Sequence, residues 1–409
     1  MVQILRILLP IFLGIPVTIF YLDDNEIPLS DLVLFAGLIF LIKDVNTKAA
    51  RYFILVSVFA FLSVIWIQLT TDITSGFRPY LSVVFFLKPL LGYFAARGVV
   101  KANSDYIFVL KLLSWVMSIS ILAIFVDVLI VHSGVSRAES YINGSVFGMD
   151  QYAAYGVNSA ASYYFVIFAV VLYSLAYIQN RYWCTVIKVL SLFCSAYLIF
   201  GSLSREVIVG FMLFLMLYYL SQRRQVRYML LLFAILGAWI SWYTFLDQII
   251  ESTFLTAKIV QIVDGWSSGD LDYVTSGRLG LYEVALKQWI RSPLFGTGFH
   301  GYLLFPEYIT FDIEPVGLSP HNQYLTTLWK GGILFFIAYW CYLVFLLRKS
   351  GVIRSVSNNP DLMLSFYICT LVVLASVWDV LMVANFGTTF FFLLGILEFR
   401  DKEPRTTHA

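Results

Sequence analysis

The sequence predicts an all-α, polytopic integral membrane protein of about twelve transmembrane helices, with one large outer loop that contains helices of its own. Three observations predict it. Of 409 residues, 60% are hydrophobic and 13% charged, with a mean hydropathy of +0.82, whereas soluble domains carry about 25% charged residues. Apolar runs of spanning length follow one another across short polar breaks. Lysine and arginine gather in alternate breaks, as expected when positive loops resist translocation.

In chain order the spans are Ile7 to Leu22, Leu29 to Ile42, Tyr52 to Leu69, Tyr80 to Ala96, Tyr106 to Val131 and Ala160 to Ile178. Six more follow: Tyr182 to Phe200, Val207 to Leu220, Tyr228 to Phe245, Tyr324 to Leu347, Leu362 to Val383 and Phe386 to Phe399. The second, eighth and twelfth are short, so each is tilted, extended or partly re-entrant in this reading. The first run is read as a retained helix, because no small-residue cleavage site follows it.

One set of loops carries Lys43, Lys48, Arg51, Arg97, Lys101, Arg181, Arg223, Arg224, Arg227, Arg348, Lys349, Arg354, Arg400, Lys402 and Arg405. The short loops of the other set carry only Arg78, Arg137 and Arg205. Both termini are therefore expected in the cytoplasm. Residues 1–409 form a single membrane domain in this reading. The connection Leu246 to Pro320, about 75 residues on the outer face, is too long for a passive connector. Within it Leu279, Tyr282, Leu286 and Trp289 or Ile290 recur at helical spacing. They predict an amphipathic helix from Arg278 to Arg291, lying on the membrane domain or its interface and ended by Pro293 and the Gly296-Thr297-Gly298 turn.

Composition also excludes. The formal charge of +2 and the absence of a basic tract argue against a nucleic-acid partner. Cys184, Cys194, Cys341 and Cys369 all sit in apolar runs without CxxC spacing and read as small buried hydrophobes. HExxH and Walker-type spacings are missing from the sequence, so neither a metal site nor a cofactor is expected.

Arg205 opens the eighth span in Ser204-Arg205-Glu206, where a helix N-terminus and a guanidinium together suit phosphate oxygens. The plainer reading is an interfacial arginine paired with Glu206. Arg278 joins a guanidinium to the start of the loop helix in the same way, or is a solvated surface residue. His321, in Ser319-Pro320-His321-Asn322, stands at the outer start of the tenth span. There the helix dipole disfavours imidazolium, leaving a neutral ring able to accept a proton; a structural interfacial histidine is the competing reading. Lys88, beside Pro89 inside the fourth span, needs a partner or a cavity, and Asp127 is a candidate partner. Arg78, Lys88, Arg137 and Asn322 are candidates for a substrate groove, with Asp379 near the outer face as well. For the arginines, snorkelling to the interface is the plainer account.

These residues resemble the bacterial O-antigen ligase and O-antigen polymerase superfamily. Four stretches carry the resemblance: Ser204-Arg205 opening a helix, Ser276-Gly277-Arg278-Leu279-Gly280-Leu281-Tyr282-Glu283, Ser292-Pro293-Leu294-Phe295-Gly296-Thr297-Gly298, and Pro320-His321-Asn322-Gln323-Tyr324-Leu325 followed by Gly331-Gly332. The resemblance spans roughly Ser202 to Leu347. It implies a metal-independent glycosyltransferase at the periplasmic face of the inner membrane, active in lipopolysaccharide and surface-polysaccharide biosynthesis. Its donor would be an undecaprenyl-diphosphate-linked oligosaccharide, its acceptor a glycan or the lipid A core, and its partners a chain-length regulator or a flippase. It implies that Arg205 and Arg278 bind the diphosphate and that His321 activates the acceptor hydroxyl. Ligases in this family commonly carry a small or hydroxyl residue where this chain has Phe335, which favours a repeat-unit polymerase over a ligase. A transporter or lipid-linked oligosaccharide flippase is the alternative of another class, and it would show internal symmetry that this chain lacks.

Overall fold

A computed structural model describes residues 2–15, 18–22, 25–71, 76–130, 156–177, 182–201, 204–221, 264–269, 278–301, 319–353, 362–377, 379–382 and 384–400. The span Tyr228 to Phe245, Arg137 and most of the loop Leu246 to Pro320 lie outside the described residues.

Helix α1 (Val2–Gly14) starts earlier than the apolar run and stops before Pro16. The second half of that run is a hairpin instead, β1 (Thr18–Leu22) against β2 (Asn25–Pro28), with Phe20 opposite Ile27 and Tyr21 opposite Glu26. The proline cannot continue the helix, and the β-branched and aromatic residues after it favour an extended chain. Among the described residues, this hairpin is the departure from an otherwise helical fold.

Next come α2 (Leu32–Lys43) and α3 (Lys48–Thr70), whose N-cap Thr47 accepts the Ala50 amide at 3.3 Å. The fourth run is divided: α4 (Arg78–Leu87), a 3-10 turn over Lys88–Leu90, and α5 (Leu91–Val99). Pro89 lacks the donor that would continue the ladder. Then follow α6 (Asn103–Ile130), α7 (Gly156–Ser174), α8 (Tyr182–Gly201), α9 (Arg205–Ser221), α10 (Arg278–Arg291) and α11 (Gln323–Lys349). Helix α12 (Leu362–Cys369) runs on through a π-turn at Thr370–Leu374 to Val377, and α13 (Ala384–Leu397) is the last. Among the described residues, five segments are long and apolar enough to cross a membrane, including Lys48–Thr70, Arg78–Val99 and Gln323–Lys349. Their outward faces are apolar: α3 exposes Ile54, Leu55, Val58, Leu62, Ile65 and Trp66. A surface like that is sustained by lipid and not by water, so the chain is a helical integral membrane protein.

Two interior features position one end of the bundle. Lys88 Nζ meets Asp31 Oδ2 at 2.7 Å with both side chains about nine-tenths buried. The partner is therefore Asp31 at the start of α2, rather than Asp127, whose side chain lies outside the described residues. The adjacent Ser30 hydroxyl bonds Asn385 Oδ1 at 2.5 Å, tying the same turn to α13.

The second feature is a break in α11 at Gly332, whose φ is 72°. A continuous helix would leave the amides after the break bonded four residues back. Here the Ser292–Gly298 turn takes that place: Thr297 N donates to Trp329 O at 2.8 Å, Phe299 N to Lys330 O at 3.1 Å, and Ile333 N to Pro293 O at 2.9 Å. A Cβ on Gly332 would stand 2.2 Å from Leu294 O, and one on Gly296 2.4 Å from Trp329 O. Below the turn, Phe86, Phe299, Phe335 and Tyr339 make edge-on and tilted ring contacts at 5.4–5.8 Å. Phe335 is completely buried there.

Gly332→Ala should therefore lower stability by about 1–3 kcal/mol through backbone strain alone, before the clash with Leu294 is added. Gly351 has a φ of 77°, but a Cβ there would meet nothing within 4 Å, so Gly351→Ala should cost less. Thermal unfolding in detergent ranks the two; equal losses would mean that the docked turn contributes nothing.

Candidate functional site

Three helix starts and the end of a fourth helical segment converge at one end of the bundle. Arg205 is the first residue of α9, with Ser204 before it. Ser204 is buried, and its carbonyl accepts the Ile208 amide at 2.9 Å. Arg278 is the first residue of α10. His321 and Asn322 precede α11, and the Asn322 side chain caps it, accepting the Leu325 amide at 3.0 Å. Val377 and Asp379 come from the end of the α12 segment.

Helix α10 forms over the residues its spacing predicts, but the face it buries is the opposite one. Val284, Ala285 and Gln288 are buried with Leu281 beside them, and Trp329 of α11 packs on this face, its indole donating to Gln288 Oε1 at 2.8 Å. Leu279, Leu286 and Ile290, from the predicted stripe, face outward. Leu281, Val284 and Ala285 make a rival apolar stripe, but the polar Gln288 interrupts it, so the larger apolar residues of the other face dominated the pattern.

Docking α10 on α11 brings Arg278 into the convergence. Its Nη2 pairs with Glu206 Oε1, and its Nη1 donates to Val377 O at 3.3 Å. Glu206 thus pairs with Arg278, across helices, where the sequence suggested its neighbour Arg205. The Arg205 side chain lies outside the described residues.

His321 takes the left-handed region with φ 50°, a costly position for a residue with a side chain. Its amide donates to Ser319 Oγ at 3.1 Å, and the Ser319 hydroxyl in turn donates to Asp379 Oδ2. Asp379 is buried, and among the described residues its Oδ1 lacks a hydrogen-bond partner, as does the enclosed Nδ1 of His321. Burial pushes the His321 pKa below the ordinary histidine value; Asp379 and Glu206 oppose that shift and Arg278 reinforces it. Burial also raises the pKa of the Tyr282 phenol, and the Asn322 side chain opposes that shift. The result is a half-buried neutral imidazole beside an acidic and a basic group, each on a separate element.

Sequence reasoning missed Ser319 and Tyr282. Tyr282 had a signal, standing four residues after Arg278 on the same helical face. Asp379 was weighed only as an outer-face residue, since nothing near it in sequence points to His321. Of the remaining groove candidates, Arg78 is exposed at the first turn of α4, Lys88 is held by Asp31, and Arg137 lies outside the described residues. Among the described residues, no three His, Cys, Asp or Glu side chains come together as a metal-ligand set.

Asn322→Ala should destabilise the protein by about 1 kcal/mol through loss of the cap, with Asn322→Asp close to wild type. Denaturation in detergent measures it, and an unchanged Asn322→Ala would show that the start of α11 is held by its neighbours alone.

Residues 190–340 match the family model described as O-antigen ligase. No curated protein matches the chain. The matched stretch takes in Ser204, Arg205, Glu206, the whole of α10, the docking turn, His321, Asn322 and the break in α11, while Asp379 falls beyond it. Over residues 190–340, then, this membrane protein is similar to the O-antigen ligase family.

Proposed function

We propose that the protein is a metal-independent glycosyltransferase of the inner membrane. In this reading it works at the periplasmic face, takes an undecaprenyl-diphosphate-linked glycan as donor, and has about twelve spans with both termini in the cytoplasm. The observation that carries the reading is the convergence of Arg278, Glu206 and His321 at the starts of three helices within the segment that matches the family, with Asp379 beside them from the end of the α12 segment. Helix N-termini and guanidinium groups suit a diphosphate.

The acceptor hydroxyl oxygen attacks the anomeric carbon, and its proton passes to His321. The bond from that carbon to the diphosphate oxygen breaks, and the electron pair leaves with the diphosphate. Charge therefore grows on the phosphates as the bond lengthens, so Arg278 and Arg205 stabilise the transition state more than the bound donor. His321 accepts the proton because burial keeps it neutral, and Asp379 steadies the imidazolium that forms.

Both superfamily reactions fit this chemistry. The acceptor is another lipid-linked repeat unit in a polymerase and the lipid A core in a ligase. The sequence pattern at Phe335 favours the polymerase, although that ring is sealed among Phe86, Phe299 and Tyr339. The description of the matching family favours the ligase. Deleting the gene separates them: single-repeat surface glycan for a polymerase, and bare core with long chains left on undecaprenyl diphosphate for a ligase.

In EDTA, the purified protein should transfer glycan, and His321→Ala should lose roughly a hundredfold or more in kcat while staying folded. The acid limb of kcat/KM should lie below the titration of a free histidine, because a lowered pKa keeps the ring neutral to more acid pH. Asp379→Asn should move that limb further down, since the carboxylate holds the imidazole pKa up. Wild-type rates for His321→Ala would remove the base, and activity restored only by magnesium would remove metal independence.

The topology has its own test. Single cysteines at Trp266 and Ser292 should react with a membrane-impermeant maleimide from the outer side of intact spheroplasts, and one at Lys349 should not. The reverse pattern would invert the protein.

A further inference from the structure

The arginine proposed to hold the diphosphate already holds an anion. Arg278 gives Nη2 to Glu206 and Nη1 to the Val377 carbonyl, so both ends of its fork are engaged. Glu206 is the second residue of α9, where the helix dipole favours negative charge, and the Ser204 hydroxyl stands 3.4 Å from its Oε2. The carboxylate thus keeps stabilising neighbours if Arg278 turns away. At 21% exposure for Arg278 and 10% for Glu206, the pair is shielded from solvent and screened less than a surface pair.

Transfer creates a problem at such a site. The donor diphosphate is esterified at both ends, whereas the product, undecaprenyl diphosphate, has one freed phosphate. That phosphate gains up to about one further negative charge near neutral pH. Guanidinium groups at helix N-termini therefore hold the product more tightly than the donor, and turnover slows at release.

We propose that Glu206 is an internal competitor for Arg278, which takes the guanidinium back after transfer and speeds the departure of undecaprenyl diphosphate. The proposal rests on the reading of Arg278 as a diphosphate ligand. Two anions on one partly buried guanidinium repel each other, so the bound diphosphate and the Glu206 contact weaken one another. Binding energy taken from both donor and product lowers affinity but frees the site for the next cycle.

Glu206→Gln keeps the shape and removes the charge; Glu206→Asp keeps the charge and shortens its reach. Calorimetric titration of the full-length protein in detergent with undecaprenyl diphosphate should show Glu206→Gln binding roughly tenfold tighter than wild type, a step equal to about 1.4 kcal/mol. Its donor KM and its kcat should fall together, with a burst in the first turnover that wild type lacks. Glu206→Asp should shift in the same direction by less, and it decides the matter if Glu206→Gln does not fold. Unchanged or weaker binding in these variants, with a lower kcat/KM, would overturn the proposal and leave Glu206 as a residue that only positions Arg278. Arg278→Ala serves as the control: if it binds undecaprenyl diphosphate as wild type does, the diphosphate reading itself fails, whatever the Glu206 variants do.

Discussion

The site end of the bundle depends on a break in one helix that another segment repairs. At Gly332 helix α11 gives up its own ladder, and the backbone of Pro293 to Phe299 supplies the missing partners. A buried amide or carbonyl left unpaired in a membrane costs several kcal/mol, so the break and the turn require each other. Because the turn follows α10 directly in sequence, fixing it lays α10 along α11, and the Trp329 to Gln288 bond locks that placement. Arg278, at the far end of α10, is thereby carried to Glu206, and His321, at the start of α11, comes near both.

The charged groups fall into two kinds of setting. Some hold helices together: Lys88 with Asp31 inside the bundle, and Arg97 with Asp44 and Glu398 at its other end. In these pairs each charge is answered by an opposite one, although Asp31 Oδ1 and Arg97 Nε make no hydrogen bond among the described residues. The convergence around His321 differs in bringing an imidazole among charges from several elements, with Asp379 Oδ1 and His321 Nδ1 enclosed there without partners among the described residues. The left-handed backbone of His321 belongs to the same setting, as strain of that kind gathers at working sites.

Much of this was legible in the sequence, and what was not has definite physical causes. Helix α10 was readable because apolar residues recur at helical spacing between Ser276-Gly277 and Pro293. Its buried face was not, because the apolar Leu281, Val284 and Ala285 share that face with the polar Gln288, and larger apolar residues recur on the other side. Hydropathy located α1 but overran it into the hairpin, since Thr18 to Leu22 is as apolar as a helix and only Pro16 marks the change. His321 and Arg278 announced themselves through helix starts and family motifs. Asp379 and Asp31 did not, because each meets its partner across a long stretch of sequence, and long-range pairing leaves no local trace.

The central claim is that the starts of α9, α10 and α11 form one diphosphate site with His321 at its edge. An experimental structure of the protein with bound undecaprenyl diphosphate tests it most directly. Both phosphates should lie between Arg278 and the N-terminus of α9, with His321 facing the terminal phosphate. Phosphates seated on any other face of the bundle, with Arg278 still paired to Glu206 and untouched, would contradict it.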